Sequence, residues 1–218
     1  MKALLFDLDG TIGNTLPLCI EAFRKAIEPL ANKSLSDAEI IAQFGPSEEG
    51  TIKALIPDHF TEGVEKYIEF YKERHSNWPK PFEGIVETLH HLKEKGCYIG
   101  LVTGKGLRST QITLETYNLA DFFDCIKTGS IRGPVKKERI EEVISETQFD
   151  RSEILYAGDA PSDIIASKAC GIKVVAAAWA PTSDFHNLLS MQPDYIFDTI
   201  QGFRDFADIQ ILVNKPFQ

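Results

Sequence analysis

The stretch Ala3-Leu4-Leu5-Phe6-Asp7-Leu8-Asp9-Gly10-Thr11 decides how the rest of the sequence is interpreted. Its first four residues form a continuous apolar run, which is typical of a strand buried on both faces. Asp7 and Asp9 follow at once, where an α/β sheet presents its ligand crevice. For this stretch alone, a turn with an aspartate as helix cap is the alternative. A calcium loop is excluded, because Ile12 and Leu18 occupy the positions of its glycine and glutamate.

Four further strand-like runs and the helices among them continue this pattern. The runs lie at 98–102, 154–157, 174–177 and 195–197, and the helical patterns lie at 85–96, 109–117, 137–146 and 163–169. Alternating strands and helices are typical of a parallel sheet with helices on both faces. The sequence therefore predicts an α/β fold with a Rossmann-like parallel sheet as its core.

Residues 14–81 break this alternation, because they predict helices only, at 16–30, 36–44, 47–55 and 61–77. Ser36 and Glu39 have the spacing of a capping box. We expect an inserted, all-helical cap domain over 14–81 and a core domain made of 1–13 and 82–218. Gly13 and the segment Trp78-Pro79-Lys80-Pro81 are the expected connections and hinges.

Polar residues also follow two other predicted strands. Thr103 and Gly104 can offer a hydroxyl and a backbone N–H to a phosphate oxygen, although a simple turn is the alternative. Asp159 and Asp163 follow the strand at 154–157, and Asp163 taken alone could cap the next helix. Each signal is weak by itself. Together they predict a site if these residues lie at one edge of the sheet.

Four aspartates at one end of a sheet predict a bound cation. Two like charges about 4 Å apart cost on the order of 4 kcal/mol at an effective dielectric constant of 20. A divalent cation would relieve this repulsion, and all-oxygen ligands favour Mg²⁺ over zinc. We therefore expect Mg²⁺ near Asp7, Asp9, Asp159 and Asp163.

The ordered motifs resemble those of the haloacid dehalogenase-like superfamily over nearly the whole chain. The first, Asp-x-Asp-Gly-Thr, matches 7–11, the second, a Thr or Ser after a hydrophobic strand, matches Thr103, and the fourth, Gly-Asp-x-x-x-Asp, matches 158–163. A response-regulator receiver uses similar residues, but its acceptor aspartate lies in the middle of the chain. The helical insert and the return segment Pro81-Phe82-Glu83-Gly84 resemble the subgroup of phosphoglycolate phosphatases, pyrophosphatases and β-phosphoglucomutases.

The third motif departs from the family pattern. The family has a lysine that is most often followed by proline, whereas this chain reads Gly133-Pro134-Val135-Lys136-Lys137-Glu138. Lys136 is the favoured candidate, because some members have Lys-x-Glu, and Lys137 stays as the alternative.

The resemblance implies a role for each site residue. Asp7 would be the nucleophile that forms an aspartyl-phosphate, and Asp9 would be the general acid and base. Thr103, Gly104 and Lys136 would hold the phosphoryl oxygens. Mg²⁺ would be bound by Asp7, the Asp9 backbone carbonyl and Asp159, while Asp163 would act through water or by orienting Lys136.

Composition limits the partners. The 218 residues contain 23 Lys plus Arg and 32 Asp plus Glu, so the net charge is −9, which disfavours nucleic acid and anionic membranes. The apolar run before Asp7 is too short for a signal peptide or a membrane span, so we expect a cytoplasmic protein. The four cysteines are scattered singly, so we expect reduced thiols. The expected assembly is a monomer or a homodimer.

The expected activity is hydrolysis of a small phosphorylated metabolite by a phosphatase of the phosphoglycolate type. An inorganic pyrophosphatase and a β-phosphoglucomutase-like phosphotransferase are the alternatives. A non-catalytic binding protein is disfavoured, because Asp7, Asp9, Thr103 and Asp159 are all present. Phe44-Gly45-Pro46-Ser47 is the candidate specificity loop, with an ordinary interhelix turn as the alternative. Arg24, Lys53 and Arg74 are weaker candidates for contact with an anionic substrate.

Overall fold

A single parallel sheet forms the centre of the molecule in the computed structural model, which describes residues 1–77 and 80–212. Its six strands are β1 (Ala3–Phe6), β2 (Tyr98–Val102), β3 (Cys125–Lys127), β4 (Ile154–Gly158), β5 (Lys173–Ala177) and β6 (Tyr195–Phe197). Their order is β3-β2-β1-β4-β5-β6, and every neighbouring pair is parallel. The predicted α/β fold is therefore confirmed, with β1 at the centre.

Four of the helices between β1 and β2 pack around an apolar cluster of their own. They are α1 (Leu16–Ala31), α2 (Asp37–Ile41), α3 (Glu48–Leu55) and α4 (Phe60–His75). Phe23, Ile52 and Tyr67 lie in this cluster with almost no exposed surface. Ser36 and Glu39 form the predicted capping box at the start of α2. The extent of the cap domain, 14–81, stays a prediction.

The side chains of β1 enter two layers of the core in alternation. Leu4 and Phe6 pack in the layer that contains α5 (Ile85–Glu94), α6 (Leu107–Tyr117) and α10 (Ile200–Leu212). Ala3 and Leu5 pack in the opposite layer, with α7 (Lys136–Thr147), α8 (Pro161–Ala169) and α9 (Phe185–Ser190). Because helices cover both faces, every position of β1 is buried, and this explains its continuous apolar run.

The chain leaves and re-enters the core at neighbouring points. The Phe82 N–H donates a hydrogen bond of 3.0 Å to the Ile12 carbonyl, which ties the return segment to the exit segment. Trp78 and Pro79, which belong to the predicted hinge, lie outside the described residues. The cap also rests on α6, where Tyr71 Oη and Thr113 Oγ1 are 2.8 Å apart.

Two further observations complete the comparison with the sequence. β3 was not predicted from the sequence, because its three residues, Cys-Ile-Lys, include a charged lysine and form no apolar run, whereas the equally short β6 reads Tyr-Ile-Phe. Within the described ranges, no helix has both the length and the apolar character needed to cross a bilayer.

Candidate active site

The carboxyl ends of β1, β2 and β4 open into a cavity of about 390 Å³ between the core and the cap. Six of the seven predicted site residues line this cavity, namely Asp7, Asp9, Thr103, Gly104, Lys136 and Asp159. The seventh, Asp163, is fully buried and bonds to Lys136. The fold therefore brings together residues that are up to 156 positions apart in the sequence, Asp7 and Asp163 (163 − 7).

A tight turn after β1 positions the two aspartates of the first motif. The Leu8 carbonyl accepts a 2.9 Å bond from Ile12 N–H, and Gly10 N–H donates a 2.8 Å bond to the Gly13 carbonyl. Gly10 has a φ of +77°, and a Cβ at this position would lie 1.9 Å from Asp159 Oδ2. Glycine is required here on both counts, because the turn after β1 closely approaches the loop after β4.

A first group of charges, which we call the Lys136 cluster, consists of Asp7, Lys136, Asp159 and Asp163. Lys136 Nζ lies 3.1 Å from Asp7 Oδ2 and also donates to Asp163 Oδ1. Asp163 Oδ2 accepts a 2.9 Å bond from Ala160 N–H at the start of α8. The helix-cap and site interpretations of Asp163 are thus compatible, because one carboxylate contacts both groups.

The Lys136 cluster fits a divalent cation. Asp7, Asp159 and Asp163 each offer a carboxylate oxygen, and these atoms lie within 4.8 Å of one another. Asp7 Oδ1 is buried without a hydrogen-bond partner. Burial and the charges of Asp163 and Asp7 raise the pKa of Asp159 well above its usual value, so without a cation the cluster resists full ionisation. The Asp9 carboxylate is outside this group, and the contribution of its backbone carbonyl stays a prediction.

A second group of charges, the Lys105 cluster, consists of Asp9, Cys19, Glu48 and Lys105. Lys105 Nζ lies 3.4 Å from Asp9 Oδ2, 3.2 Å from Glu48 Oε1 and 3.1 Å from Cys19 Sγ. It also lies 4.4 Å from the centre of the Tyr71 ring. Asp9 Oδ1 accepts a further bond from Thr15 Oγ1. Lys105 therefore joins the predicted general acid and base of the core to a carboxylate of the cap.

Burial opposes the charge of each member of the Lys105 cluster. Burial would lower the pKa of Lys105, but the charge of Asp9 raises that pKa well above its usual value. It would raise the pKa of Glu48, yet Lys105 and the bond from Ser109 hold it below its usual value. Burial raises the pKa of Asp9 in spite of Lys105, and it raises the pKa of the Cys19 thiol to about 12. Cys19 is thus a neutral thiol near pH 7.

The sequence analysis missed Lys105 and Glu48. Lys105 directly follows the Thr103-Gly104 pair, so its closeness to a strand end was the available signal. Glu48 opens α3, next to the proposed specificity loop, and reads there as an ordinary acidic residue in the first turn of a helix. Its partners at the start of α6, Ser109 Oγ and the N–H of the N-cap residue Gly106, become apparent only when the cap is packed on the core.

The remaining candidates occupy distinct places. Thr103 is buried, and its Oγ1 accepts a 3.2 Å bond from Lys105 N–H. Lys137 is exposed and does not line the cavity, so the structure places Lys136 at the site. Phe44, Gly45 and Pro46 of the proposed specificity loop line the cavity. Three cap cations do not line it, namely Arg24, Lys53 and Arg74.

Known proteins share both the sequence pattern and the fold. The family described as haloacid dehalogenase-like hydrolase matches residues 4–177. A protein named pyrophosphatase PpaX from Anoxybacillus flavithermus is 31% identical over 200 residues, which cover 91% of this chain and 93% of the relative.

Two solved structures resemble the whole molecule. A protein described as a predicted phosphoglycolate phosphatase from Haemophilus somnus has a TM-score of 0.79 at 21% identity, covering 96% of this chain and 97% of its own. A haloacid dehalogenase-like family protein from Streptococcus pneumoniae has a TM-score of 0.76 at 25% identity, covering 95% and 98%. The family match spans most of the chain and includes all four motifs that meet at the cavity, so this protein is a member of the haloacid dehalogenase-like hydrolase family.

Proposed function

We propose that the protein is a Mg²⁺-dependent phosphatase that hydrolyses a small phosphorylated metabolite through an aspartyl-phosphate on Asp7. The observation that carries this proposal is the state of the Asp7 carboxylate. One of its oxygens lies 3.1 Å from Lys136, and the other is buried without a hydrogen-bond partner in a residue that lines the cavity. A carboxylate with one oxygen neutralised and one available suits nucleophilic attack.

Asp7 and Asp9 divide the chemistry between them. Asp7 attacks phosphorus, the bond to the leaving oxygen breaks, and Asp9 donates a proton to that oxygen. Water then attacks the aspartyl-phosphate while Asp9 accepts its proton, which releases phosphate and restores Asp7. Burial raises the pKa of Asp9, and this favours the protonated form that the first step needs.

The phosphoryl oxygens need cations and hydrogen-bond donors around them. Lys136 supplies the cation beside Asp7, while Thr103 and the Gly104 N–H supply donors from the end of β2. Asp163 accepts a bond from Lys136 and so holds the ammonium in place. Asp163 is therefore a positioning residue in this proposal.

Asp7, Asp159 and the Asp9 backbone carbonyl would hold Mg²⁺. Its positive charge, when bound, offsets the repulsion between the nucleophilic carboxylate and the phosphate dianion. The fit depends on the three close carboxylates of Asp7, Asp159 and Asp163.

Release of phosphate from p-nitrophenyl phosphate tests this proposal. We expect activity that needs Mg²⁺, that is lost in EDTA and restored by added Mg²⁺, and that falls at least ~10³-fold in Asp7→Asn. Asp121→Asn is the matched control, because Asp121 lies in a short turn after α6 and does not line the cavity. Undiminished activity in Asp7→Asn would exclude Asp7 as the nucleophile.

Pyrophosphate is a second candidate substrate, because the 31% identical relative is named a pyrophosphatase. Both reactions use the same nucleophile and differ in the group that leaves. Comparing kcat/KM for pyrophosphate with that for organic phosphate esters separates them.

A further inference from the structure

The cap forms one wall of the cavity, and this wall is more apolar than the opposite wall, which carries the aspartates. Five of its side chains are apolar, and we call these the cap wall: Leu16, Phe23, Ile41, Phe44 and Pro46. Ile41 and Phe44 keep 44% and 38% of their surface exposed. In the proposed mechanism the phosphoryl group lies against Asp7, so the cap wall is the surface available to the leaving group.

The cations of the cavity are already neutralised. Among the described residues that line it, Lys105 and Lys136 are the two that carry positive charge. Lys136 lies between Asp7 and Asp163, and in the proposed function it binds the phosphoryl oxygens. Lys105 lies within 3.4 Å of Asp9 and 3.2 Å of Glu48. Neither lysine is free to receive a second anionic group.

Other polar groups on the cap side offer little to an anion. The one charged cap residue that lines the cavity, within the described part of the chain, is Glu48, which is itself an anion. The Thr51 hydroxyl donates to the Gln43 carbonyl at 3.2 Å. Cys19 is a neutral thiol whose Sγ lies 3.1 Å from Lys105 Nζ. A carboxylate or phosphate on the leaving group would therefore lose water without gaining a cation.

On the basis of the phosphatase function proposed above, we propose that the preferred substrate is a phosphate monoester whose leaving group is uncharged and packs on the cap wall. Apolar surface on such a group would be buried against Ile41 and Phe44, which favours binding. This proposal departs from the substrates expected from the sequence, because phosphoglycolate and pyrophosphate both have an anionic leaving group, whereas the proposed substrate has an uncharged one.

Two esters of nearly equal size test the charge of the leaving group. 4-Carbamoylphenyl phosphate and 4-carboxyphenyl phosphate differ by an amide in place of a carboxylate. With Mg²⁺ present, we expect kcat/KM for the carbamoyl ester to be at least roughly tenfold higher, because the carboxylate has no free cation on the cap wall. We also expect pyrophosphate to have a lower kcat/KM than the carbamoyl ester.

Ile41→Lys is the variant that should weaken this preference. It places a cation on the cap wall, at an exposed position that needs no repacking of a core. We expect the ratio of the two kcat/KM values to fall by roughly threefold or more, since an added positive charge attracts the carboxylate. Ile209→Lys is the matched control, because Ile209 lies on α10 with 57% of its surface exposed and does not line the cavity, and its ratio should stay within about twofold of the wild-type value.

The outcomes distinguish this proposal from the proposed function. Equal kcat/KM for the two aryl esters, a preference for the carboxylate or for pyrophosphate, or the same ratio in Ile41→Lys as in the wild type would overturn the inference and leave the phosphatase function standing. Absence of phosphate release from every ester with Mg²⁺ would overturn the phosphatase function and this inference with it.

Discussion

The two buried lysines of the cavity differ in where their partners come from. Lys136 contacts Asp7 and Asp163, so the Lys136 cluster is built from core elements alone. Lys105 contacts Asp9 in the core and Glu48 in the cap. Any movement of the cap relative to the core would separate Lys105 from Glu48 and leave the Lys136 cluster intact. Asp7, the proposed nucleophile, is therefore held independently of the cap, whereas the environment of Asp9 depends on the position of the cap.

The largest effect is expected for a variant of the Lys136 cluster, which lies in the core. Lys136→Met removes the cation beside Asp7, and we expect kcat/KM to fall roughly 10²- to 10³-fold, because one donor to the transition-state charge is lost. Lys137→Met, at the exposed neighbouring position, should keep nearly full activity. Steady-state kinetics with p-nitrophenyl phosphate measure both variants, and the reverse pattern would assign the phosphate-binding role to Lys137.

A smaller effect is expected on the side that depends on the cap. Lys105→Met should lower kcat/KM about tenfold, on the scale of a perturbed general acid and base. Lys105 lowers the pKa of Asp9, so its removal should raise that pKa and move the limb of the pH–rate profile that Asp9 controls to higher pH. Lys105→Arg keeps the charge and should leave this limb near its wild-type position. A Lys105→Met profile with an unmoved limb would contradict the proposed coupling to Asp9.

Glu48→Gln tests the link between the cap and the core through stability. Glu48 is buried and accepts hydrogen bonds from Ser109 and Gly106, so we expect a loss of about 1–3 kcal/mol in the free energy of unfolding at pH 7. Urea unfolding followed by circular dichroism measures it. Glu73→Gln, at an exposed position on α4, is the matched control and should change the unfolding free energy by less than ~0.5 kcal/mol.

The pH dependence of this difference has a defined sign. The folded state holds the pKa of Glu48 below its usual value of 4.5, so ionisation of Glu48 stabilises the fold above that pH. This contribution is lost as the pH falls through the folded pKa. The difference between the wild type and Glu48→Gln should therefore shrink below about pH 4.5. A difference that stays constant from pH 7 to pH 4 would show that charge is not its cause.

The smallest effect concerns a neutral contact between the same two regions. Tyr71→Phe removes the hydrogen bond between Tyr71 Oη and Thr113 Oγ1, and we expect a loss of about 0.5–1.5 kcal/mol in the free energy of unfolding. Because no carboxylate takes part, and His75 Nε2, 3.1 Å from the same Thr113 Oγ1, is neutral above its lowered pKa, the loss should be the same at pH 7 and pH 8.5. Parallel urea titrations at the two pH values measure it, and a marked pH dependence would contradict a purely neutral contact.

The residues that the sequence predicted at the site are those that follow strands. Asp7, Asp9, Thr103 and Asp159 could be placed because parallel strands present their carboxyl ends at one edge. Lys136 needed the family resemblance, since nothing local separates it from Lys137. Lys105 and Glu48 could not be paired in advance, because they are 57 positions apart in the sequence (105 − 48) and their contact depends on how the cap packs on α6.

The same reasoning applies to the fold. Continuous apolar runs indicate strands and amphipathic periodicity indicates helices, so five of the sheet's strands and the four cap helices could be predicted. β3, Cys-Ile-Lys, has no such run. The character of the cap wall was also unpredicted, because Ile41 and Phe44 read as ordinary apolar residues until their exposure on the cavity is known.

The central position of β1 has a consequence for the order of events during protein synthesis. Ala3 pairs with Tyr98 on one side and with Ile154 on the other, so neither neighbour exists when β1 leaves the ribosome. At ~5–20 residues per second, β2 is completed about 5–19 s and β4 about 8–30 s after β1, because Val102 and Gly158 lie 96 and 152 positions after Phe6 (102 − 6 and 158 − 6). The helices of the cap are all made before β2, so the nascent chain carries the apolar Ala3–Phe6 segment without a partner strand until β2 is made, and with one of its two partner strands until β4 is made. We therefore expect misfolding of this protein to begin at the Ala3–Phe6 segment. It should increase in cells with slow translation or depleted chaperones.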